Sequence, residues 1–179
     1  LHDDRLKTFL DDWPDMEVTF RDIDPRTLPV LAFMHQAIEN ASEKTKGIVN
    51  TLVLMADQLA WGQTYSTDDF GAEFLKRYGW SEFIGLRGPI PSDNIACGVL
   101  MLGPGIEYPR HRHEAEEVYI PLTGQTLWLQ ENQAWTVREL GRPIYHAPWV
   151  THAMTTGEFP LLALYLWRAG DLKQKSFFD

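Results

Sequence analysis

"GIEYPRHRHEAEEVYIPLTG", residues 105–124, decides how this chain is read. His111 and His113 stand one residue apart, Glu117 follows four residues after the second, Tyr119 two after that, and Gly124 closes the run. All four side chains occupy odd positions. In an extended chain, or one whose turn preserves the alternation, they face one side of a sheet, and in a barrel that side is the interior. His-x-His is then a chelating pair and Glu117 adds a carboxylate, so a further ligand must come from another strand. "YHAPWVTHAMTTG" supplies it: His152 is the expected fourth ligand, with His146 its competitor across the bend at Pro148 and Trp149. Three imidazoles and one carboxylate, with water completing the shell, suit one divalent transition metal ion; zinc, iron, manganese and nickel all fit, and ligand type alone does not choose among them. A lone histidine in such a charged hairpin would read as a surface residue; three with a glutamate at this spacing do not.

Outward from this stretch the chain divides into two kinds of text. From about Ser81 onward it consists of short β-prone runs broken by Gly, Pro and Asn: "CGVLMLG", "EEVYIPLTG", "QTLWLQEN", "AWTVREL", "PIYHAPW" and "LLALYLWR". Many short strands at close spacing predict a sandwich or small barrel. Residues 1–80 read as an α-helical extension. "TLPVLAFMHQAIENAS" carries Leu28, Leu31, Met34 and Ile38 at helical spacing, "KGIVNTLVLMADQLAWGQTY" predicts a second helix, and "STDDFGAEFLKRYGW" a third, capped by Ser66 or Thr67 and stopping near Gly79. No linker separates the halves, so residues 1–80 and 81–179 are expected to pack as one structural unit.

Composition narrows the function. In 179 residues, 16 Lys and Arg stand against 25 Asp and Glu, a formal charge of -9, the wrong sign for neutralising phosphates. Nucleic acid is therefore not an expected partner, whereas a cationic or zwitterionic small molecule is not repelled. Hydrophobic residues at 44% provide for a real core. The single cysteine, Cys97, excludes an internal disulfide and a Cys-rich zinc site, and within "ACGVLML" it reads as a small buried hydrophobe. No run reaches the ~18 apolar residues of a membrane span, and no basic and apolar leader opens the chain. A cytoplasmic location is the expectation, drawn from a sequence that begins with Leu rather than Met.

The opening stretch carries a resemblance. Gly105, His111, His113, Glu117 and Gly124 match the first signature motif of the cupin superfamily at every spacing; Gly141, Pro148 and His152 match the second in part, without its usual second glycine and its Asn, and with the proline-to-histidine spacing one residue shorter. "YPRHRHEAEEVY" with "HAPWVTHAMTT" resembles the cupin-type dimethylsulfoniopropionate (DMSP) lyases of marine bacteria, of the Q and L types, over roughly Gly105 to Trp167. The resemblance implies a mainly β fold, a cupin double-stranded β-helix or jelly-roll barrel carrying an N-terminal helical extension. It implies a metal held by His111 or its neighbour His113, Glu117 and His152, with Tyr119 beside it. Some members carry histidine where this chain has Glu117.

The implied reaction is a β-elimination: DMSP loses a proton from the carbon next to its carboxylate and expels dimethyl sulfide, leaving acrylate. A neutral leaving group makes proton removal the hard step. Tyr119, with a nearby cation favouring its phenolate, is the expected base, and Tyr108 an assisting or alternative one. The sulfonium has no acidic proton to donate, so an aromatic wall is its expected receptor. Tyr165 and Trp167 share one face of "LLALYLWR", Trp128 and Trp149 are further candidates, and Met154 follows His152 at the same parity. The extension offers Trp61 or Tyr65 as residues capping the barrel mouth, while Lys44, Lys46, Arg77 and Arg87 read as solvated charges. A non-haem iron dioxygenase acting on a small carboxylate and a non-catalytic ligand-binding cupin are the alternatives. Exposed sheet edges make a homodimer the expected assembly, if there is one.

Overall fold

The computed structural model describes residues 4–15 and 17–178. Its strands are β1 (Trp61–Gly62), β2 (Tyr78–Gly85), β3 (Ile90–Pro91), β4 (Ile95–Leu102), β5 (Glu107–Arg112), β6 (Glu116–Pro121), β7 (Leu127–Gln130), β8 (Thr136–Val137), β9 (Ile144–His146), β10 (His152–Thr155), β11 (Leu161–Arg168) and β12 (Phe177–Phe178). Among the described residues they form a seven-stranded sheet, ordered β1-β2-β4-β11-β6-β9 with β3 beside β2, and a five-stranded sheet, ordered β12-β5-β10-β7-β8. Consecutive strands β5 and β6 belong to different sheets, so the chain crosses the sandwich at the short turn between them. This is the jelly roll of the cupins, as the sequence leads one to expect.

The strand β4 reads IACGVLML, without alternation, because both of its faces are buried. Toward the sandwich interior, Leu100 and Leu102 join Leu161, Ala163, Tyr108, Tyr119, Trp128 and Met154. On the outer face, Val99, Met101 and Leu162 pack on Val30, Met34, Val49, Leu52 and Trp61 of the N-terminal half. At the far end, Ile95, Cys97, Val118 and Leu166 pack on Phe9. Each such side chain withdrawn from water contributes about 1.5–3 kcal/mol, so the helical segments are a second wall of the core. Cys97 is the buried hydrophobe the sequence suggested, and burial pushes its thiol up to about 12.

The helices are α1 (Asp4–Asp11), α2 (Met34–Glu39), α3 (Lys46–Met55) and α4 (Thr67–Leu75). They are shorter than predicted, and tertiary pairing explains much of the difference. The first predicted helix opens as a 3-10 turn, Pro29–Phe33, entered from an extended Leu28 with no side-chain cap, and becomes α-helical only at Met34. The second ends at Met55, passes through a 3-10 turn and then extends as β1, because Trp61 and Gly62 pair with Ser81 and Trp80. The third begins where expected, with Ser66 and Asp69 forming a capping box, but bends at Gly71 (φ +75°) and stops at Leu75. Tyr78 already opens β2, three residues before the predicted start of the β region. None of these helices is long and apolar enough to cross a membrane.

Gly98 of β4 lies beneath the Tyr165 ring. A Cβ there would stand 2.7 Å from Tyr165 Oη and would collide with the Ser81 carbonyl oxygen of the adjacent strand. Gly98→Ala is expected to destabilise the fold by about 1–3 kcal/mol. Urea unfolding should show a lower midpoint with an unchanged slope.

Candidate active site

Both sheets contribute to one buried centre. His111 on β5 is the Cα partner of His152 on β10. Glu117 on β6 lies between His146 of β9 and Trp167 of β11. His113 occupies the turn where the chain passes from the five-stranded sheet to the seven-stranded one, and this turn preserves the alternation, so the odd-numbered side chains converge. His111, His113, Glu117, His146 and His152 are each at most 2% exposed.

The histidines are oriented before any ligand arrives. Nδ1 of His111, His113 and His152 lies 2.8, 3.0 and 2.9 Å from the backbone carbonyl oxygens of Pro109, Ala115 and Val150. A carbonyl can only accept, so this network assigns the proton to Nδ1 and leaves Nε2 as the free lone pair. Nε2 of His113 and of His152 face Glu117 Oε2 at 3.3 and 3.0 Å. The other carboxylate oxygen, Oε1, accepts the Trp167 indole N–H at 2.5 Å. Burial works to raise the Glu117 carboxyl, but hydrogen bonds and charge from His113 and His152 outweigh it and hold the group well below the usual carboxylate range.

Lone-pair nitrogens facing a carboxylate oxygen at these distances require positive charge between them, either protons on the imidazoles or a metal ion. The donor atoms of His111, His113 and His152 lie within 4.8 Å of one another, as do those of Glu117, His146 and His152. Both ring nitrogens of His146 are buried without a hydrogen-bond partner among the described residues, and its ring stacks on His152 at 4.1 Å. Burial, then the charge of His152, pushes His111 and His146 well below the ordinary histidine value, toward the neutral form that a ligand needs. The residues therefore fit a divalent metal ion.

A cavity opens beside this centre. Glu117, Tyr108 and Tyr119 border it on the histidine side; Tyr65, Tyr78, Trp80, Tyr165 and Trp167 form an aromatic wall; Glu82 and Arg87 lie along it as well. The Tyr108 ring rests 4.3 Å from His111, and its hydroxyl is 2.7 Å from that of Tyr65. Burial, then the Tyr65 and Tyr78 phenols, pushes Tyr108 well above the ordinary phenol value. Tyr119 is pushed the same way, by burial and then by the negative charge of Glu117. The protein groups by themselves thus keep Tyr119 protonated, and only positive charge nearby opposes both causes.

The structure gathers His111, His113, Glu117, His152, Tyr108 and Tyr119, and it puts Tyr165 and Trp167 on the cavity wall. Trp128 and Met154 pack in the interior core, Trp128 against Tyr119 at 5.3 Å, and Trp149 lies at the surface beside Phe177. From the extension, Tyr65 reaches the cavity, whereas Trp61 turns into the outer layer and donates its indole N–H to the Ala56 carbonyl. Arg87, read from sequence as a solvated charge, is half-exposed but borders the cavity above Trp80. The sequence offers His146 only as the competitor of His152 and gives no place to Tyr78, Trp80 and Glu82; the last three alternate at period two, a signal hidden by ending the helical region at residue 80.

A family model described as dimethylsulfoniopropionate lyase matches residues 5–163. The chain belongs to this family. DMSP lyase DddQ of Ruegeria pomeroyi is 31% identical over 160 residues, 89% of this chain and 79% of that protein. Its crystal structure superposes with a TM-score of 0.82, covering 98% of this chain and 92% of the other. A putative DMSP lyase DddL of Cereibacter sphaeroides is 29% identical over 82% of this chain, which spans 62% of that relative. A cupin-2 domain of Rhodospirillum rubrum, 14% identical, shares the fold alone, with a TM-score of 0.53 over 68% of this chain and 76% of that one.

Two outcomes are expected from this geometry. Trp167→Phe removes the donor that holds Glu117 Oε1, and metal affinity, measured by competition with a chromogenic chelator, should fall by about 10–100-fold. For the metal-free protein, His111 and His146 titrate below the unfolded value of 6.5, and Glu117 below 4.5. At acidic pH the unfolded chain then binds more protons, so stability is full above pH ~6.5 and falls as pH drops through that value. The thermal midpoint of chelated protein, followed by circular dichroism, should decline steadily from pH 7 downward.

Proposed function

We propose that this protein is a metal-dependent carbon–sulfur lyase that cleaves DMSP to dimethyl sulfide and acrylate by β-elimination. The observation that carries this reading is the placement of the Tyr119 phenol inside an aromatic cavity, on the strand that also carries Glu117 and beside converging imidazoles. Membership of the family and the DddQ likeness support it.

On this reading His111, His113, Glu117 and His152 hold the metal, with His146 stacked against His152 and available to the same centre. A divalent cation there supplies a Lewis acid for the substrate carboxylate and positive charge that favours the Tyr119 phenolate. Zinc, iron, manganese and nickel all suit the donors. The remaining work falls to the chain. Tyr119 Oη takes the proton from the carbon next to the carboxylate; the electron pair left behind forms the carbon–carbon double bond as the carbon–sulfur bond breaks and dimethyl sulfide departs with its pair. Tyr108, held by the Tyr65 hydroxyl, orders the substrate and is the second candidate for the proton. Tyr165 and Trp167 offer ring faces to the sulfonium. The aromatic wall also excludes water, which strengthens every charge interaction within the cavity. The N-terminal segment and the β sandwich act as one unit, since Tyr65 comes from the former.

Tyr119→Phe should lower dimethyl sulfide release by at least about a hundredfold while leaving metal content unchanged. Headspace gas chromatography with purified protein and DMSP, run anaerobically with and without a chelator, measures this. Turnover by the variant at the parent rate removes Tyr119 as the base, and a requirement for oxygen removes the elimination.

A further inference from the structure

The cavity holds a second buried carboxylate that the metal centre does not use. Glu82 lies in β2, its side chain 4% exposed, at the far end of one cross-strand row from Tyr119. Tyr119 pairs with Tyr165, Tyr165 with Gly98, and Gly98 with Glu82. At about 4.8 Å per strand, the row places the Glu82 backbone about 14 Å from that of Tyr119. Gly98 leaves room for the Tyr165 ring to lie across β4 toward Glu82, so the cavity floor between the two ends is aromatic.

The local backbone is shaped around this carboxylate. Oε1 accepts the N–H groups of Arg87 and Gly88 at 2.5 and 3.1 Å. Gly85 has φ +136°, and a Cβ there would stand 2.8 Å from Oε1. Oε2 is treated differently: among the described residues its ion pair is with Arg87 Nη1 at 3.8 Å, beyond hydrogen-bond reach. The Arg87 guanidinium is itself half-exposed and lies over Trp80. Arg21 is close by, but its guanidinium is occupied by the carbonyls of Gly85 and Leu86. A role confined to fixing the turn at 85–88 would need only Oε1. Burial raises the Glu82 carboxyl, the Arg87 N–H and charge oppose it, and an incompletely paired buried carboxylate is costly unless a cation completes it.

We infer that Glu82 is a specificity-determining residue: its Oε2 receives the fixed cation of a small zwitterion whose carboxylate points to the histidine centre. The cavity then carries opposite charge at its two ends, and it rejects carboxylates of the same shape that lack the positive charge. The inference rests on the lyase reading for the identity of that zwitterion, but the charge selection is separable from turnover.

The test is calorimetric binding to the metal-loaded protein. The two probes are β-alanine betaine, which carries trimethylammonium, and isocaproate, which has a similar skeleton and an uncharged end. Glu82→Gln preserves an acceptor for the Arg87 and Gly88 N–H groups and removes the charge. It should weaken the betaine by about tenfold and isocaproate by less than about twofold, with kcat/KM for DMSP falling in step with the betaine. Arg87→Ala removes the competing guanidinium and should tighten the betaine. Equal losses for both probes in Glu82→Gln, no loss for the betaine, or weaker betaine binding in Arg87→Ala overturns the inference. Charge-selective binding by a parent protein that releases no dimethyl sulfide upholds it and overturns the lyase reading instead.

Discussion

The carboxylate of Glu117 is wholly withdrawn from solvent, and the surrounding architecture is arranged around it. A buried carboxylate without partners costs several kcal/mol, enough to cancel much of a small domain's stability. One oxygen is answered by the Trp167 indole, and the other faces two imidazole nitrogens that satisfy it only with positive charge held between them. Those imidazoles are in turn fixed by carbonyls of their own loops. Backbone oxygens therefore orient the imidazole rings before any ligand arrives.

This arrangement explains why the site straddles two sheets. A single strand can present side chains on one face only at period two, roughly 7 Å apart, too far for several donors to meet at a point. Crossing the sandwich at the turn around His113 brings β5 and β6 to bear from opposite walls, and β10 and β9 add His152 and His146 beside them. The helical coat on the outside follows from the same design, since a sheet whose inner face shares its apolar packing with a polar centre and a cavity draws further packing from the outer one.

Much of this was legible in the sequence, for a physical reason. Strand parity is robust, so the sequence alone puts His111, His113, Glu117 and Tyr119 on one face, and likewise Tyr165 and Trp167. What the text concealed was pairing. Trp61 and Tyr78 lie in segments with helical composition, and only hydrogen bonding to neighbouring strands makes them extended. His146 was harder still: it shares its even parity with His152 but stands on the far side of a bend, where Trp149 adopts φ +63°. Parity carries no information across such a kink, so the text does not say that the two rings meet. Glu82 gave no signal in isolation because an acidic residue in a short strand usually points to water; its burial depends on a glycine turn folding back over it.

Trp167 has a wider consequence. One indole packs on His113 at 4.2 Å, ties Glu117 through its N–H and borders the cavity. Any drift at this position that retunes which molecules are admitted also disturbs the chemistry performed on them. Lineages carrying this arrangement are therefore expected to diversify through the cavity's remote end, where change leaves the reactive machinery untouched.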